Sequence, residues 1–355
     1  MKLEDLGYND QLEKTRLELK LDGFELGRVV AEHKERYIVK NEQGEFEAEI
    51  TGNMRFTAKN REDFPAVGDW VAMTTYDADF AVVHQIIPRF STIKRQAAGQ
   101  ISDVQIIATN LDYAFLVQAV SRDFNINRLE RYLTICNNAN IKPIIVLSKI
   151  DLIQESRLKE ITEEIHQRIQ EVPVVAISNE TLNGYEAILS LIEKGKSYCL
   201  LGSSGVGKST LLNNLSGKEL MKTASISLSN NKGRHTTSHR ELTILDNGGI
   251  LVDNPGMREV GIADAVKGLE ITFDAIYQHA PKCRFKDCTH AYEAGCAVIE
   301  AVHQGEIDHA SYRNWLRMDR EKAHYESTVA ERRKKEKEFG KIMKNYKKEL
   351  KRERI

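Results

Sequence analysis

Residues 198–212 read YCLLGSSGVGKSTLL: an apolar run, a glycine-rich turn and the first residues of a helical pattern. The turn matches G-x-x-x-x-G-K-S, a motif that binds phosphate when it lies between a strand and a helix, as it does here. Its glycines let backbone N–H groups turn inward around a phosphate, and the helix adds the partial positive charge of its N-terminus. The alternative is a plain turn that only joins the strand to the helix. The candidate phosphate-binding residues are Gly202, Ser203, Ser204, Gly205, Val206, Gly207, Lys208, Ser209 and Thr210.

Two residues of this loop have distinct expected roles. Lys208 is expected to contact the β- and γ-phosphates of a nucleotide, and the Ser209 hydroxyl to bind Mg²⁺. Downstream, an apolar run ends in D-N-P-G at residues 253–256, a match to D-x-x-G. Asp253 is expected to hold Mg²⁺ through water, and the N–H of Gly256 to sense the γ-phosphate. Without a phosphate loop, such a tetrad would more often be an ordinary turn.

The residues that read a nucleotide base lie upstream of the phosphate loop. Guanine differs from adenine in its N1–H and 2-amino groups, which donate hydrogen bonds to an Asp carboxylate. This Asp is usually the last residue of an N/T-K-x-D tetrad. No such tetrad follows Ser209; S-K-I-D instead follows the apolar run 143–147, and a Ser-Asn pair follows the run 172–177. This order predicts a circularly permuted domain, although a lone S-K-x-D would more often be a turn into a helix. The base-reading candidates are Ser148, Lys149, Ile150, Asp151, Ser178 and Asn179.

Hydrophobic periodicity divides the chain into regions of different type. Short alternating runs between residues 24 and 95 predict a small β-barrel. Apolar runs that alternate with helical stretches beyond residue 103 predict an α/β domain with a mainly parallel sheet. After residue 264 the strand signals stop and the pattern is mainly helical. The predicted divisions are a helical or loose extension (1–20), a barrel (21–97), the permuted α/β domain (98–263) and a helical domain (264–355).

Composition favours a cytoplasmic protein without a membrane partner. The chain is 41% hydrophobic and 29% charged, which is ordinary for a globular protein, and its net charge of -1 gives no sign of a polyanionic partner. No apolar run reaches the roughly 18 residues that span a bilayer, and the N-terminus lacks the basic-then-apolar order of a signal peptide. Charge is unevenly placed, however, because the tail from residue 331 is rich in Lys and Arg. This tail predicts either a solvated helix or a basic helix that binds RNA.

Four metal-ligand candidates lie close together in the C-terminal region, in the pattern Cys283-x4-Cys288-x-His290-x5-Cys296. Three thiolates and one imidazole match a closed tetrahedral zinc site. Such a site leaves no open coordination position, so we expect a structural role. Metal binding would add folding energy to a segment too small to be stable through its own core. The alternative is a set of buried free thiols beside a surface histidine.

Taken together, the order base motif, capping loop, phosphate loop and D-x-x-G, followed by the cysteine cluster, resembles the ribosome small-subunit-dependent GTPase A (RsgA, YjeQ or YloQ) family over essentially the whole chain. The resemblance implies an N-terminal OB-fold, a circularly permuted P-loop GTPase domain and a C-terminal zinc-binding domain. It also implies hydrolysis of GTP to GDP and phosphate, stimulated by the small (30S) ribosomal subunit during its late maturation, with rRNA as a partner. We expect a monomer with one structural zinc ion.

The polar stretch 230–239 lies between the phosphate loop and D-x-x-G and has no apolar periodicity. This is typical of a mobile switch, and an ordinary exposed loop is the alternative. By position, the family's switch motif G-R/Q-H-T-T-T corresponds to residues 233–238. The resemblance therefore implies that Thr237 binds Mg²⁺ and that His235 is catalytic, together with Lys208.

Three residues depart from the usual GTPase pattern. Ser148 replaces the Asn or Thr of the base motif, and its shorter side chain is expected to support the loop less well, while Asp151 preserves the choice of guanine. Asn254 replaces the Thr or Ser of D-T/S-P-G. Met257 stands where a Ras-like enzyme carries the water-positioning Gln, and a thioether cannot orient water. We therefore expect slow intrinsic turnover that rises when a partner orders the switch and His235.

The barrel is expected to bind RNA through its strand face and loops, although isolated basic residues on a barrel are usually only solvated. Its candidate phosphate contacts are Arg55, Lys59, Arg61, Arg89, Lys94 and Arg95. Two other interpretations stay open. A nucleotide could hold an RNA-binding module in one conformation with little turnover. An ATP-dependent kinase or ATPase would explain the phosphate loop, but not Asp151 or the permuted order.

Overall fold

The computed structural model describes most of the chain. The described residues are 1–33, 36–77, 79–96, 104–121, 124–217, 241–253 and 265–326. Within these ranges, no helix combines the length and the apolar character needed to cross a membrane.

The N-terminal extension is helical and packed against the barrel. A 3-10 helix (Leu3–Leu6) precedes helix α1 (Asp10–Glu18), which begins where Asn9 Oδ1 accepts a hydrogen bond from the backbone N–H of Leu12. Leu12 is buried in one cluster with Trp70 of the barrel. Of the two conformations that the sequence left open for this segment, the structure shows the helical one.

Five strands form the predicted barrel, with a short helix after the third. They are β1 (Glu25–His33), β2 (Arg36–Lys40), β3 (Glu45–Ile50), α2 (Gly52–Thr57), β4 (Trp70–Thr75) and β5 (Phe80–Ile86). The strand order β1-β2-β3-β5-β4 closes through a β1–β4 pairing, and β3 runs parallel to β5. Along β3, exposed glutamates alternate with buried Phe46, Ala48 and Ile50, so one face of the strand fills the barrel. This arrangement is the OB-fold.

An antiparallel hairpin follows the barrel. Its strands are β6 (Thr92–Gln96) and β7 (Val104–Thr109), which form a two-stranded sheet of their own. Ile93 and Ile107 are buried in the same cluster as the core of the next domain. The sequence did not predict these strands, and they lie on both sides of the predicted boundary at residues 97 and 98. That boundary stays a proposal.

The next region is a mainly parallel sheet with helices on both faces. Its elements are β8 (Tyr113–Ala119), α3 (Ile126–Asn138), β9 (Lys142–Ser148), α4 (Glu155–Arg168), β10 (Val174–Ala176), α5 (Tyr185–Ser190), β11 (Ser197–Leu201), α6 (Lys208–Ser216), β12 (Glu241–Ile244) and β13 (Ile250–Asp253). The strand order is β10-β9-β8-β11-β13-β12, and every strand is parallel to its neighbours except β12, which is antiparallel to β13. Helices α3 and α4 cover one face, and α5 and α6 cover the other. Strands buried on both faces form continuous apolar runs, which is why the sequence predicted them.

Helices α7 (Val266–Thr272), α8 (Asp274–His279), α9 (Ala297–Gln304) and α10 (His309–Glu326) form the C-terminal region. Helix α7 lies so close to α3 that a Cβ atom at Gly268 would be 2.1 Å from the carbonyl oxygen of Thr134. No side chain fits at position 268 without a shift of the backbone. The helical region is thus seated directly on the α/β domain.

A buried carboxylate holds the two regions together beside this contact. Glu130 of α3 is 2% exposed. Its carboxylate pairs with the guanidinium of Arg168 at 2.7 Å. From α10, the Ser311 hydroxyl and the Asn314 amide donate to the same carboxylate at 2.8 Å and 2.7 Å. A buried charge is tolerated when it is paired and hydrogen-bonded in this way.

One buried arginine joins the N-terminal segment, the barrel and the sheet. Arg28 of β1 is 1% exposed. Its guanidinium donates to the carbonyl oxygens of Leu6 (2.5 Å), Gly68 (3.3 Å) and Asn110 (3.1 Å) and to Ser197 Oγ (2.9 Å). Burial lowers the pKa of Arg28 to about 10, which leaves it charged at neutral pH. Ser197 begins β11, so the barrel is tied directly to the strand that leads into the glycine-rich loop.

We predict that Arg28→Met destabilises the protein by about 3 kcal/mol, because it leaves several buried acceptors without a donor. The midpoint of urea unfolding, followed by tryptophan fluorescence, measures the effect. Arg36→Met is the matched control: this arginine lies on β2 with its side chain 68% exposed and pairs only with surface glutamates, so its loss should cost less than about 0.5 kcal/mol. Equal midpoints for the two variants would contradict the role given to Arg28.

Candidate functional site

The glycine-rich loop connects β11 to α6 at the carboxyl edge of the sheet. Gly205 and Gly207 have φ angles of +78° and +95°, which favour glycine. A Cβ atom at Gly202 would lie 2.3 Å from the carbonyl oxygen of Val117, so the loop needs glycine there as well. Lys208 Nζ donates to the carbonyl oxygens of Gly202 and Ser203 at 2.7 Å and 2.6 Å. The lysine ammonium therefore lies over its own loop, where a phosphate-binding lysine is required.

The other predicted loop residues differ in exposure. Ser204 and Gly205 are exposed, and Ser203, Ser209 and Thr210 are half-buried, so a phosphate and its metal could reach them. Val206 is 5% exposed and its side chain packs in the core below the loop. Of this residue, only the backbone is available to a ligand.

The base-reading candidates meet at the ends of β9 and β10. Lys149 adopts a left-handed backbone conformation with φ +62°, after which Ile150 and Asp151 form a short 3-10 helix. Asp151 Oδ1 accepts a hydrogen bond from Ser178 Oγ at 2.6 Å. The Ser178 hydroxyl in turn accepts from the backbone N–H of Thr181 at 3.1 Å. One carboxylate oxygen of Asp151 is thus fixed by the capping loop, and the carboxylate keeps capacity to accept from a base.

Two hydrogen bonds join the base-reading loops to the phosphate loop. Ser148 is fully buried, and its Oγ donates to the carbonyl oxygen of Val206 at 2.6 Å. Asn179 Nδ2 donates to the carbonyl oxygen of Gly207 at 3.0 Å. The short Ser148 side chain does reach the loop that we expected it to support less well. The loops of Asp151 and Lys208 are therefore parts of one hydrogen-bonded site, although the chain reaches them in reversed order.

Two residues that the sequence did not single out complete this network. The Tyr185 hydroxyl donates to Asn179 Oδ1 at 2.7 Å, and Asn214 Nδ2 contacts the Asn179 carbonyl oxygen at 3.1 Å and the Tyr185 hydroxyl at 2.9 Å. Tyr185 lies on α5 and Asn214 on α6, and neither residue belongs to a recognisable sequence motif. Their polar groups on otherwise apolar helix faces were the available signal.

The remaining predicted nucleotide contacts are only partly described. Asp253 ends β13, whose Val252 is in register with Cys199 of β11, so Asp253 lies at the same sheet edge as the phosphate loop. Thr237, His235 and Gly256 lie outside the described residues, as do the departures at positions 254 and 257. Their roles stay predictions.

A P-loop, a carboxylate that suits guanine and a capping loop lie at strand ends along one edge of the sheet, in a chain order that begins with the base motif. The strand order around them is that of a doubly wound α/β sheet, which binds ligands at the carboxyl ends of its strands. These features define a circularly permuted GTPase domain, carried between an OB-fold and a helical domain.

Comparisons with known proteins agree with this class. The family model described as RsgA GTPase matches residues 86–263. The model of the ABC transporter family matches residues 185–354, a range that includes the P-loop common to both families. The small ribosomal subunit biogenesis GTPase RsgA 1 of Bacteroides thetaiotaomicron is 38% identical over 343 residues, which cover 96% of each chain. RsgA 2 of Listeria monocytogenes is 39% identical over 326 residues, 92% of this chain and 90% of the relative.

Solved structures give the same result for the fold. YjeQ from Thermotoga maritima superposes with a TM-score of 0.63 at 26% identity, covering 82% of this chain and 96% of that one. YloQ, described as a circularly permuted GTPase, superposes with a TM-score of 0.62 at 23% identity, covering 86% and 97%. The chain belongs to the RsgA GTPase family.

The four metal-ligand candidates come together in the helical domain. The ligand atoms of Cys283, Cys288, His290 and Cys296 all lie within 4.8 Å of one another. His290 Nδ1 is 3.4 Å from the Sγ atoms of both Cys283 and Cys296, and these two sulfur atoms are 3.8 Å apart. Around a tetrahedral zinc ion, two sulfur ligands are about 3.8 Å apart, and sulfur and nitrogen about 3.5 Å. The cluster therefore has the dimensions of a Cys₃His zinc site.

Neighbouring groups hold the ligand loop in shape. Glu293 accepts hydrogen bonds from Thr289, through its hydroxyl and its backbone N–H (2.9 Å), and from the N–H of Ala291 (3.0 Å). The bond from the Thr289 hydroxyl is the main reason why the pKa of Glu293 falls to about 2. The Tyr312 hydroxyl of α10 donates to the His290 carbonyl oxygen at 2.6 Å. Burial lowers the pKa of His290, which favours the neutral ligand form.

One candidate RNA contact of the barrel has a structural role instead. Arg89 pairs with Asp69, which is fully buried, at 2.6 Å and 2.8 Å. It also donates to the carbonyl oxygens of Glu62 and Phe64 at 2.8 Å each. Its guanidinium is therefore engaged inside the barrel, and the prediction that Arg89 contacts phosphate is wrong. Lys94 is paired with Glu62 at 2.8 Å.

We predict that Ser148→Ala weakens GDP binding roughly five- to tenfold, because the Val206 carbonyl loses a buried donor and the phosphate loop loses an anchor. Titration with a fluorescent GDP analogue measures the affinity. Ser190→Ala is the control, since the Ser190 hydroxyl bonds only within its own helix turn at the surface. Unchanged affinity in Ser148→Ala would show that this contact does not support the loop.

We predict that the purified protein holds about one zinc ion, and that Cys288→Ser abolishes its retention. Metal analysis and the absorption spectrum of the cobalt-substituted protein test the ligand set. Cys136→Ala is the control and should retain the metal, because Cys136 is a buried residue of α3 outside the cluster.

Removal of zinc by a chelator should lower the unfolding temperature of the wild-type protein and leave that of Cys288→Ser unchanged. Loss of metal in Cys136→Ala alone would refute the assignment.

Proposed function

We propose that this protein hydrolyses GTP to GDP and phosphate and acts in the late maturation of the small ribosomal subunit. One observation carries the proposal: hydrogen bonds from Ser148 and Asn179 connect the loop of Asp151 to the loop of Lys208. This arrangement suits a ligand with a guanine at one end and phosphates at the other. Relatives that cover nearly the whole chain are named for small ribosomal subunit biogenesis.

In the proposed complex, Asp151 accepts hydrogen bonds from guanine N1–H and the 2-amino group. Adenine has no such pair of donors at these positions and leaves the carboxylate unpaired, at a cost in affinity. At the other end, Lys208 exchanges its loop carbonyls for the β- and γ-phosphate oxygens, and the backbone N–H groups of residues 202–209 surround the β-phosphate. Mg²⁺ would be held by Ser209 and Thr237, with Asp253 bound through water, and would neutralise phosphate charge.

Hydrolysis requires that water attack the γ-phosphorus while the bond to the β-phosphate oxygen breaks. Lys208 and the loop N–H groups would stabilise the charge that develops on the phosphate oxygens. His235 is the proposed residue that orients the water, because Met257 cannot do so in the position of the Ras glutamine. Turnover is therefore slow until a partner orders His235.

The proposed partner is the 30S subunit and its rRNA, which also places the protein in the cytoplasm. The OB-fold and the helical zinc domain flank the GTPase domain, and both are fixed to it, by Arg28 and by Glu130. A subunit that binds the flanking domains can thus act on the conformation of the GTPase domain between them. We propose a monomer, with one structural zinc ion.

GTP hydrolysis with and without purified 30S subunits tests the proposal. We expect slow turnover by the protein alone and a rise of roughly 100-fold or more with 30S, in the range that a positioned catalytic group supplies. Asp151→Asn should lose GTP hydrolysis and regain activity with xanthosine triphosphate, because an amide can donate to the 2-oxo group of xanthine. His235→Ala should lose the stimulated rate while keeping its GDP affinity.

Each arm has a contrary outcome. Absence of stimulation by 30S would favour an RNA-binding module whose conformation a nucleotide controls. Equal competition by ATP and GTP would favour an ATPase. A stimulated kcat unchanged in His235→Ala would remove the catalytic role of this residue and leave the GTPase assignment intact.

A further inference from the structure

Helix α2 of the barrel holds an aromatic ring in water. Phe56 is 90% exposed, the largest fraction among the exposed large apolar side chains of the described residues. Met54 packs on the barrel core, and Phe56 lies about 200° further around the helix, so its ring points away from the core. Single exposed apolar residues are common on proteins. The surroundings of this one therefore decide whether it has a role.

A hollow borders the same helix. Its volume is about 310 Å³, and it is lined by Met54, Thr57, Ala58, Lys59 and Asp63. The carboxylate of Asp63 accepts hydrogen bonds from the backbone N–H groups of Lys59 (2.8 Å) and Asn60 (3.2 Å). These bonds bend the chain after α2 and form one wall of the hollow. Phe56 is not one of the residues that line the hollow, so the exposed ring and the hollow are separate features of this helix.

The local charges favour an anion. Lys59 and Arg61 are exposed. Asp63 keeps its negative charge, but the four exposed cations on and beside α2, Arg55, Lys59, Arg61 and Lys94, outnumber the two carboxylates of Glu62 and Asp63, and Glu62 pairs with Lys94 at 2.8 Å. The segment thus combines a stacking surface with cations, the two features that single-stranded nucleic acid binding requires.

We propose that residues 52–61 form a base-stacking site for single-stranded RNA, in which Phe56 stacks on one base and Lys59 and Arg61 contact the adjacent phosphates. The proposal rests on the proposed function for its natural partner, rRNA. The stacking site is an addition to the proposed function, because OB-folds usually bind nucleic acid through strands 2 and 3 and the loops β1–β2 and β4–β5. Helix α2 lies between β3 and β4 and is outside that surface.

The salt dependence of RNA binding separates the two contact types. With the full-length protein and a fluorescein-labelled single-stranded RNA of mixed sequence, we expect Phe56→Ala to weaken binding roughly 5- to 100-fold at every salt concentration. The slope of log affinity against log salt should stay that of the wild type, because stacking releases no counterions. Lys59→Ala should instead reduce the magnitude of this slope by about 0.7.

Leu17→Ala is the control, because Leu17 is an exposed apolar side chain (56%) on α1, which belongs neither to the proposed site nor to the strands and loops through which OB-folds usually bind. It should change RNA affinity less than about twofold, and Phe56→Tyr should restore wild-type binding, since tyrosine also stacks. Intrinsic GTP hydrolysis should be the same in all variants. Binding by Phe56→Ala within twofold of the wild type, or an equal loss in Leu17→Ala, would overturn the site.

The RNA titration does not depend on ribosomal stimulation. If 30S subunits fail to stimulate the wild-type protein while Phe56→Ala still loses RNA affinity, the proposed function fails and the stacking site stands. If stimulation occurs and is the same in Phe56→Ala, with equal RNA affinity, the site fails and the proposed function stands.

Discussion

The hydrogen bond from Ser148 Oγ to the Val206 carbonyl oxygen joins two strand ends that are not neighbours. Strands β9 and β11 have β8 between them, so this bond crosses the end of β8. It forms because parallel strands bring their carboxyl ends to one edge, whatever the order in which the chain supplies them. The site therefore depends on the direction and the neighbours of the strands, and a permuted chain meets this condition as well as an unpermuted one.

The local motifs could be predicted from the sequence because each carries its chemistry in a short segment. The P-loop, the tetrad ending in Asp151 and the four zinc ligands are of this type, and the structure brings each set together. The two buried charged residues that join the domains could not be predicted. Arg28 and Glu130 are ordinary charged residues in sequence, and their partners lie as far away as Ser197 and Asn314. Long-range contacts of this kind have no local pattern.

The same reasoning explains the error at Arg89 and the missed hairpin. A surface arginine and a buried one look alike in sequence until the position of Asp69 is known, and Asp69 is twenty residues away. Within the part of the chain that the structure describes, strands β6 and β7 pair only with each other, and they carry a short alternation that the change of domain interrupts. The contact of Ser148 Oγ with its acceptor at 2.6 Å could not be predicted either, and the expectation that serine supports the loop less well than a longer side chain stays a prediction.

The pairing of barrel strand β1 with β12, in which Ala31 is opposite Glu241, also matters for the protein before it reaches any partner. Without this pairing, the start of β12 would offer its unpaired backbone groups to strands of other molecules, a common route to aggregation. At the opposite border the last strand, β10, is only three residues long (Val174–Ala176), which leaves little for a foreign strand to join. One border thus meets the barrel at the first residue of a four-residue strand and the other ends in a three-residue strand, so both offer a foreign strand little length to join.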